Sequence, residues 1–246
     1  MIVRRLYDLV LFDLDGTLLD TSMDLGDSMN SALQRYGYPA LTYDEYKRIV
    51  GDGVANLCAR SLELAVRKSH RPFPEGADKG SVDFASIREG ILAAFREHYK
   101  EHLDHRTKPY SGIPEVLEHL QDAGVLTAVL SNKSQEFTRT LVASHFPDIR
   151  FCYIIGDGGG FPRKPDPAAV LHILESTGCL RQRTILFGDG EADVLAAKAA
   201  GIDVAAASWG FRPRAVLAGA GATRFVDAPS DIIPMVIERI DDEQKP

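Results

Sequence analysis

Asp13 and Asp15 follow an apolar run at residues 9–12 and are separated by one leucine, with Gly16 opening the turn beyond them. A carboxylate at the end of a buried strand is held rigidly, and such a carboxylate can attack phosphorus to make an acyl-phosphate. A second carboxylate two residues on could protonate the leaving oxygen and later take a proton from the attacking water. Farther along come Ser131 and Asn132, then Lys164, then Asp189 and Asp193. The Ser131 hydroxyl and the Asn132 amide suit phosphate oxygens, and Lys164 supplies a compact positive charge for a phosphate and for the Asp13 carboxylate. Asp13, Asp15 and Asp189 brought together would repel one another. A hard cation relieves that repulsion, and Mg²⁺ typically takes one or two carboxylates, some waters and a phosphate oxygen. Positioning and charge stabilisation are the main contributions available to phosphoryl transfer. Plainer roles compete: Asp-Gly is a turn signal, Ser131 could cap a helix, and Asp193 suits a first helical turn.

These residues need elements to bring them together. Short apolar runs at 9–12, 126–130 and 184–187 each stop at a polar or glycine-rich turn, as parallel strands covered on both faces do. Weaker strand patterns lie at 153–155, 204–207 and 225–226. Helical periodicity fills the intervals 114–123, 167–177 and 192–200, closed by Gly124, Gly178 and Gly201. Alternating strands and helices predict an α/β fold, a Rossmann-like parallel sheet, in which ligands bind outside the carboxyl ends of the strands. Asp13, Ser131 and Asp189 each follow such an end.

Residues 22–105 differ. They carry helical patterns at 26–36, 43–50, 54–66 and 87–101 and no convincing strand. The stretch 69–80 holds two prolines, two glycines and mixed charge, and reads as a loop. The expected organisation is an α/β core at 1–21 and 106–246 interrupted by a helical insert at 22–105.

Four ordered motifs, Phe-Asp-Leu-Asp-Gly-Thr-Leu-Leu-Asp-Thr at 12–21, Ser-Asn-Lys at 131–133, Arg-Lys-Pro-Asp-Pro at 163–167 and Gly-Asp-Gly-Glu-Ala-Asp at 188–193, resemble the haloacid dehalogenase-like (HAD) hydrolase superfamily. The resemblance implies that Asp13 is the nucleophile and Asp15 the general acid and base. It implies that Asp13 and Asp189 bind Mg²⁺ through side chains and Asp15 through its backbone carbonyl, with Asp193 orienting Lys164 or the metal shell. The insert then corresponds to a cap that closes over the site. A finer resemblance, to bacterial phosphoglycolate phosphatases, rests on Gly51-Asp52-Gly53-Val54, Leu57 and Arg60, on residues 107–113, and on Trp209-Gly210-Phe211-Arg212-Pro213. It makes Arg60 a candidate for a substrate carboxylate. Gly190 departs from the pattern, which usually has serine there. Pyrophosphate and other sugar phosphates remain alternative substrates, and a non-catalytic phosphate-binding protein is a third reading. Dehalogenation is disfavoured by Asp15, since an acid there serves an oxygen leaving group.

Composition narrows the partners. With 45% hydrophobic and 26% charged residues the chain reads as an ordinary globular protein, and a net charge of −7 without a basic block argues against nucleic acid. No stretch approaches a membrane span. Cys58, Cys152 and Cys179 are scattered and odd in number, as expected of reduced thiols in a cytoplasmic protein, a monomer or homodimer acting on a small phosphate ester. His98 and His102 share a helix face with His105 nearby, but an exposed face suits them better than a metal. Trp209 and Phe211 read as packing residues.

Overall fold

The computed structural model describes residues 2–51, 53–69 and 82–240. In chain order these form β1 (Ile2–Arg5), β2 (Leu9–Phe12), β3 (Leu19–Asp20), then four helices, α1 (Ser22–Arg35), α2 (Tyr43–Ile49), α3 (Val54–Ser69) and α4 (Val82–His102). Next come β4 (Lys108–Pro109), α5 (Ile113–Asp122), β5 (Leu126–Ser134), α6 (Gln135–His145), β6 (Phe151–Asp157), α7 (Ala168–Thr177), β7 (Thr184–Gly188) and α8 (Glu191–Ala200). The chain ends in β8 (Asp203–Ala207), α9 (Arg214–Ala220), β9 (Phe225–Val226), α10 (Ile232–Val236) and β10 (Ile237–Ile240). It divides into two compact units, Met1–Asp20 with Pro109–Pro246, and Thr21–Lys108.

The first unit is built on a six-stranded sheet in the order β6-β5-β2-β7-β8-β9, parallel throughout. All six strands expected from the sequence lie in it. Every residue of β2 and of β7 is buried, which explains why both read as unbroken apolar runs. On one face Leu9, Leu11, Leu130 and Leu186 pack against Val170, Ile173 and Leu174 of α7. Elsewhere in the sheet Phe12 and Phe187 stack with ring centroids 5.7 Å apart. Gly178 and Gly201 close α7 and α8 in the left-handed conformation, as their places in the sequence predict.

The structure differs from the sequence expectation in three respects, the first of them at the site. The strand expected to stop at 130 continues through Ser134, and its pairing with β6 slips between Leu130 and Ser134. The residues 131–133, read as a turn, are therefore an irregular strand end. Helices α6, α9 and α10 follow patterns too short or too mixed to stand out. The antiparallel pair β1–β10 joins residues near the two ends of the chain, a pairing no local pattern announces.

The second unit is helical, with α1 packed on α4 and buried Met29, Leu33, Leu62, Phe95 and Tyr99 among its core. A reciprocal cap opens α2: Glu45 N donates to Thr42 Oγ1 at 3.3 Å and Thr42 N donates to Glu45 Oε2 at 2.7 Å. Asp24, 2% exposed, accepts from Arg106 N, Thr107 N and Thr107 Oγ1, tying the chain beyond α4 to α1. The expected loop at 69–80 falls outside the described residues except for Ser69, which closes α3, and Asp52 of the Gly-Asp-Gly stretch also lies outside them.

Candidate active site

The carboxyl ends of β2, β5 and β7 bring the sequence-marked residues together. Asp13 extends β2 by one rung: its N–H donates to Phe187 O at 2.9 Å, which fixes the backbone from which its carboxylate projects. Leu14 N donates to Asp13 Oδ1 at 2.7 Å. The chain then turns back on itself, with Leu18 N and Leu19 N both donating to Leu14 O. Gly16 makes this turn possible twice over. Its φ is +88°, and a Cβ there would lie 2.2 Å from Asp189 Oδ2.

Lys164, 5% exposed, is the hub. Its ammonium donates to Asp193 Oδ1 at 2.6 Å and Leu130 O at 2.6 Å, and lies 2.9 Å from Asp13 Oδ1. Asn132 Nδ2 donates to Lys164 O at 3.0 Å, so Asn132 holds the lysine segment. Burial alone would lower the Lys164 pKa, but the Asp13 and Asp193 carboxylates overcome it and the net shift is upward. Asp193 is positioned in turn by the start of α8, where its Oδ2 accepts from Gly190 N at 2.9 Å. Ser131 is buried beside them and its Oγ accepts from Lys133 N at 3.3 Å.

Asp189, 3% exposed, is gripped at both oxygens: Thr17 Oγ1 donates to Oδ1 at 2.9 Å and Phe211 N to Oδ2 at 2.7 Å. Trp209 Nε1 fixes the turn carrying Thr17 by donating to Thr17 O at 3.1 Å. One carboxylate oxygen from each of Asp13, Asp189 and Asp193 lies within 4.8 Å of the others. Burial, then the Asp193 carboxylate, pushes the Asp13 carboxyl up to about 7 despite the pull of Lys164. Burial, then the Asp13 carboxylate, raises Asp189 as well. A hard divalent cation bound among these oxygens would relieve the crowding. Among the described residues this is the one group of three acidic, histidine or cysteine side chains arranged for a metal.

Asp15 is distributed differently from the sequence expectation of an acidic trio. Its carboxylate is directed to Lys133, whose Nζ lies 2.8 Å from Oδ1 and 3.2 Å from Oδ2. The crowded trio has Asp193 in the place of the Asp15 side chain. Arg60 lies on α3 and donates to Ile49 O at 3.1 Å, at the end of α2. The rings of His98 and His102 stack at 4.0 Å, and each Nδ1 has a protein partner, Ser28 Oγ at 3.0 Å and His98 O at 2.8 Å.

Sequence reading assigned no role to Thr17, Lys133, Trp209 Nε1 or Phe211 N. Thr17 and Lys133 stand inside the quoted motifs, so proximity to the marked residues was the available signal. A backbone N–H such as that of Phe211 leaves none.

The chain is similar to known proteins over most of its length. The family model of haloacid dehalogenase-like hydrolases matches residues 10–207. Phosphoglycolate phosphatase 1 of Pseudomonas aeruginosa is 32% identical over 94% of this chain and 80% of its own length. The phosphoglycolate phosphatase of Aquifex aeolicus is 33% identical over 82% of this chain and 85% of its own. The crystal structure of a candidate phosphoglycolate phosphatase from Lactobacillus delbrueckii subsp. bulgaricus superposes with a TM-score of 0.81 at 31% identity, covering 92% of this chain and 96% of that one. With four motifs meeting at one sheet edge and the family model spanning most of the sequence, the chain belongs to the haloacid dehalogenase-like hydrolases.

Proposed function

We propose that this chain is a phosphatase that hydrolyses a small phosphomonoester through an aspartyl-phosphate on Asp13, with 2-phosphoglycolate its leading substrate. The observation that carries the chemistry is a strand-end carboxylate, Asp13, held 2.9 Å from a buried lysine ammonium and beside two further buried acids. The substrate rests on the relatives, which are named as phosphoglycolate phosphatases at about a third identity over most of the chain.

In the first half-reaction an Asp13 oxygen attacks phosphorus, the ester P–O bond breaks, and the leaving oxygen takes the proton of the Asp15 carboxyl. In the second, the Asp15 carboxylate takes a proton from water as that water attacks the same phosphorus. The Asp13–phosphorus bond breaks and inorganic phosphate leaves. Lys164 offsets charge on the phosphoryl group and holds Asp13, while Ser131 and Asn132 line the side where the other phosphate oxygens would sit. Mg²⁺ held by Asp13 and Asp189, and by the Asp15 backbone carbonyl, would neutralise charge on the transferring group. Asp193 holds Lys164 rather than the ion. The helical unit serves as the cap, with Arg60 a candidate contact for a substrate carboxylate.

No helix among the described residues is long and apolar enough to cross a membrane, and no disulfide joins the three cysteines. The small-molecule partner rests on the relatives, which are named as phosphatases of a small phosphate ester.

The test is phosphate release from 2-phosphoglycolate, pyrophosphate, sugar phosphates and nucleotides, with and without Mg²⁺, and with Asp13→Asn as control. Magnesium-dependent turnover strongest on 2-phosphoglycolate and lost in the variant is expected. Preference for another ester would retain the chemistry and reassign the substrate; silence across the panel would favour a binding protein.

A further inference from the structure

We propose that Lys133 is a positioning residue that holds the Asp15 carboxyl group on the reacting side of the site. The inference rests on Asp15 acting as the acid and base described above. Two observations carry it. The first is the contact itself: Lys133 Nζ bridges both Asp15 oxygens, with the two side chains only 5% and 14% exposed. A surface ion pair contributes little and wanders, whereas a pair this enclosed fixes geometry.

The second is the backbone that aims Lys133. Between Leu130 and Ser134 the β5 strand spends four residues while β6 spends two, Ile155 to Asp157. An irregularity of this kind beside a site re-aims a side chain. Three neighbours maintain it. Thr138 Oγ1 donates to Lys133 O at 3.3 Å, Gln135 Nε2 donates to Ile154 O at 2.9 Å, and Gly156 N donates to Gln135 Oε1 at 2.6 Å. Gly156 is required there, since a Cβ would meet Lys133 O at 2.7 Å and Gln135 Cα at 2.8 Å. Sequence places Lys133 beside Ser131 and Asn132; the slipped strand turns it to Asp15, at the end of the adjacent strand.

The contact has a chemical use. Lys133 engages both Asp15 oxygens, at 2.8 Å and 3.2 Å, and so fixes the orientation of the whole carboxyl group. Lys133 makes and breaks no bond itself; it acts through where the Asp15 oxygens stand. A freed Asp15 would rotate about χ1 and χ2, and its loss of aim would matter most where the leaving oxygen needs a proton, as with an alkyl phosphate. It would matter least for p-nitrophenyl phosphate, whose phenolate departs unaided.

The experiment compares Lys133→Met, Asp15→Asn, the double variant and Asp13→Asn in the full-length chain, on an alkyl phosphate and on p-nitrophenyl phosphate. Lys133→Met is expected to lower kcat on the alkyl ester by about 10- to 100-fold, a share of a general acid's usual contribution, with much less loss on the aryl ester and little change in KM. The double variant should be no slower than Asp15→Asn alone. Equal losses on both esters, or a further loss in the double variant, would overturn the positioning role and assign Lys133 directly to the phosphoryl group. Turnover surviving in Asp13→Asn would instead overturn the covalent reading, and the proposal with it. Lys133→Gln, which keeps a donor toward Asp15, is expected to fall between the parent and Lys133→Met; it supplies the same comparison if methionine prevents folding.

Discussion

Asp24 and Asp189 are both buried acids, 2% and 3% exposed, and they are buried for opposite purposes. Asp24, in the helical unit, is met by donors: both of its oxygens accept from Arg106 N, and Oδ2 also accepts from Thr107 N and Oγ1, both at 2.8 Å. Asp189, in the α/β unit, has two donors of its own but also faces the carboxylates of Asp13 and Asp193. A buried charge surrounded by N–H and O–H groups fastens a chain segment. A buried charge surrounded by other acids stores repulsion that a bound cation or a reaction can use. Burial alone therefore does not mark a functional acid; the sign of its neighbours does.

The sharpest way to break this contrast is to neutralise one acid of each kind. Asp13→Asn should reduce phosphate release by on the order of 10⁴-fold or more while the melting temperature holds or rises, because it removes the nucleophile and some of the repulsion together. A folded variant with turnover near the parent would end the comparison. Asp24→Ala should do the reverse, costing about 3 kcal/mol in denaturant unfolding because several donors lose one acceptor, with turnover per folded molecule largely intact. A stability change under about 0.5 kcal/mol would show that the Asp24 contacts do not fasten the segment.

Acidity separates the two regions more finely. The Asp13 carboxyl sits at about 7 against an ordinary 3.8. Between those values the folded chain keeps a proton that the unfolded chain has lost, so the cation-free protein should lose stability as pH rises from about 4 to about 7. Melting curves in EDTA and in MgCl₂ check this: the gain from the cation should be larger at about pH 8 than at about pH 5, and Asp13→Asn should shrink that difference. An equal gain at both would place the cation elsewhere.

The smallest effect is at Gly190. Its φ of −115° suits any residue, and an added Cβ would lie 3.2 Å from Asp193 Oδ2 and 3.9 Å from Ala192 N. Gly190→Ser should stabilise α8 by only a few tenths of a kcal/mol as an N-cap. Loss of activity would show that the Asp193 carboxylate cannot yield to the new side chain.

Much of the core was legible because its signals are local. Strands β2 and β7 are buried on both faces, so their sequences are continuous apolar runs that a short window detects. The helix stops at Gly178 and Gly201 were equally plain, since each needs a left-handed residue. The continuation of β5 to Ser134 was hidden because Ser-Asn-Lys looks like a turn and pairs only by slipping against β6. The β1–β10 pair was hidden because its partners are more than two hundred residues apart.

The sequence by itself determined which side chains could do chemistry and which strand ends would carry them, because residue type and strand periodicity are properties of neighbours along the chain. Only the tertiary structure decided how the charges are shared: Lys164 among Asp13, Asp193 and Leu130 O, Lys133 to Asp15, and the Phe211 N–H to Asp189. Those pairings depend on angstrom distances between strands and loops far apart in sequence. Coulomb and hydrogen-bond energies are settled at that scale.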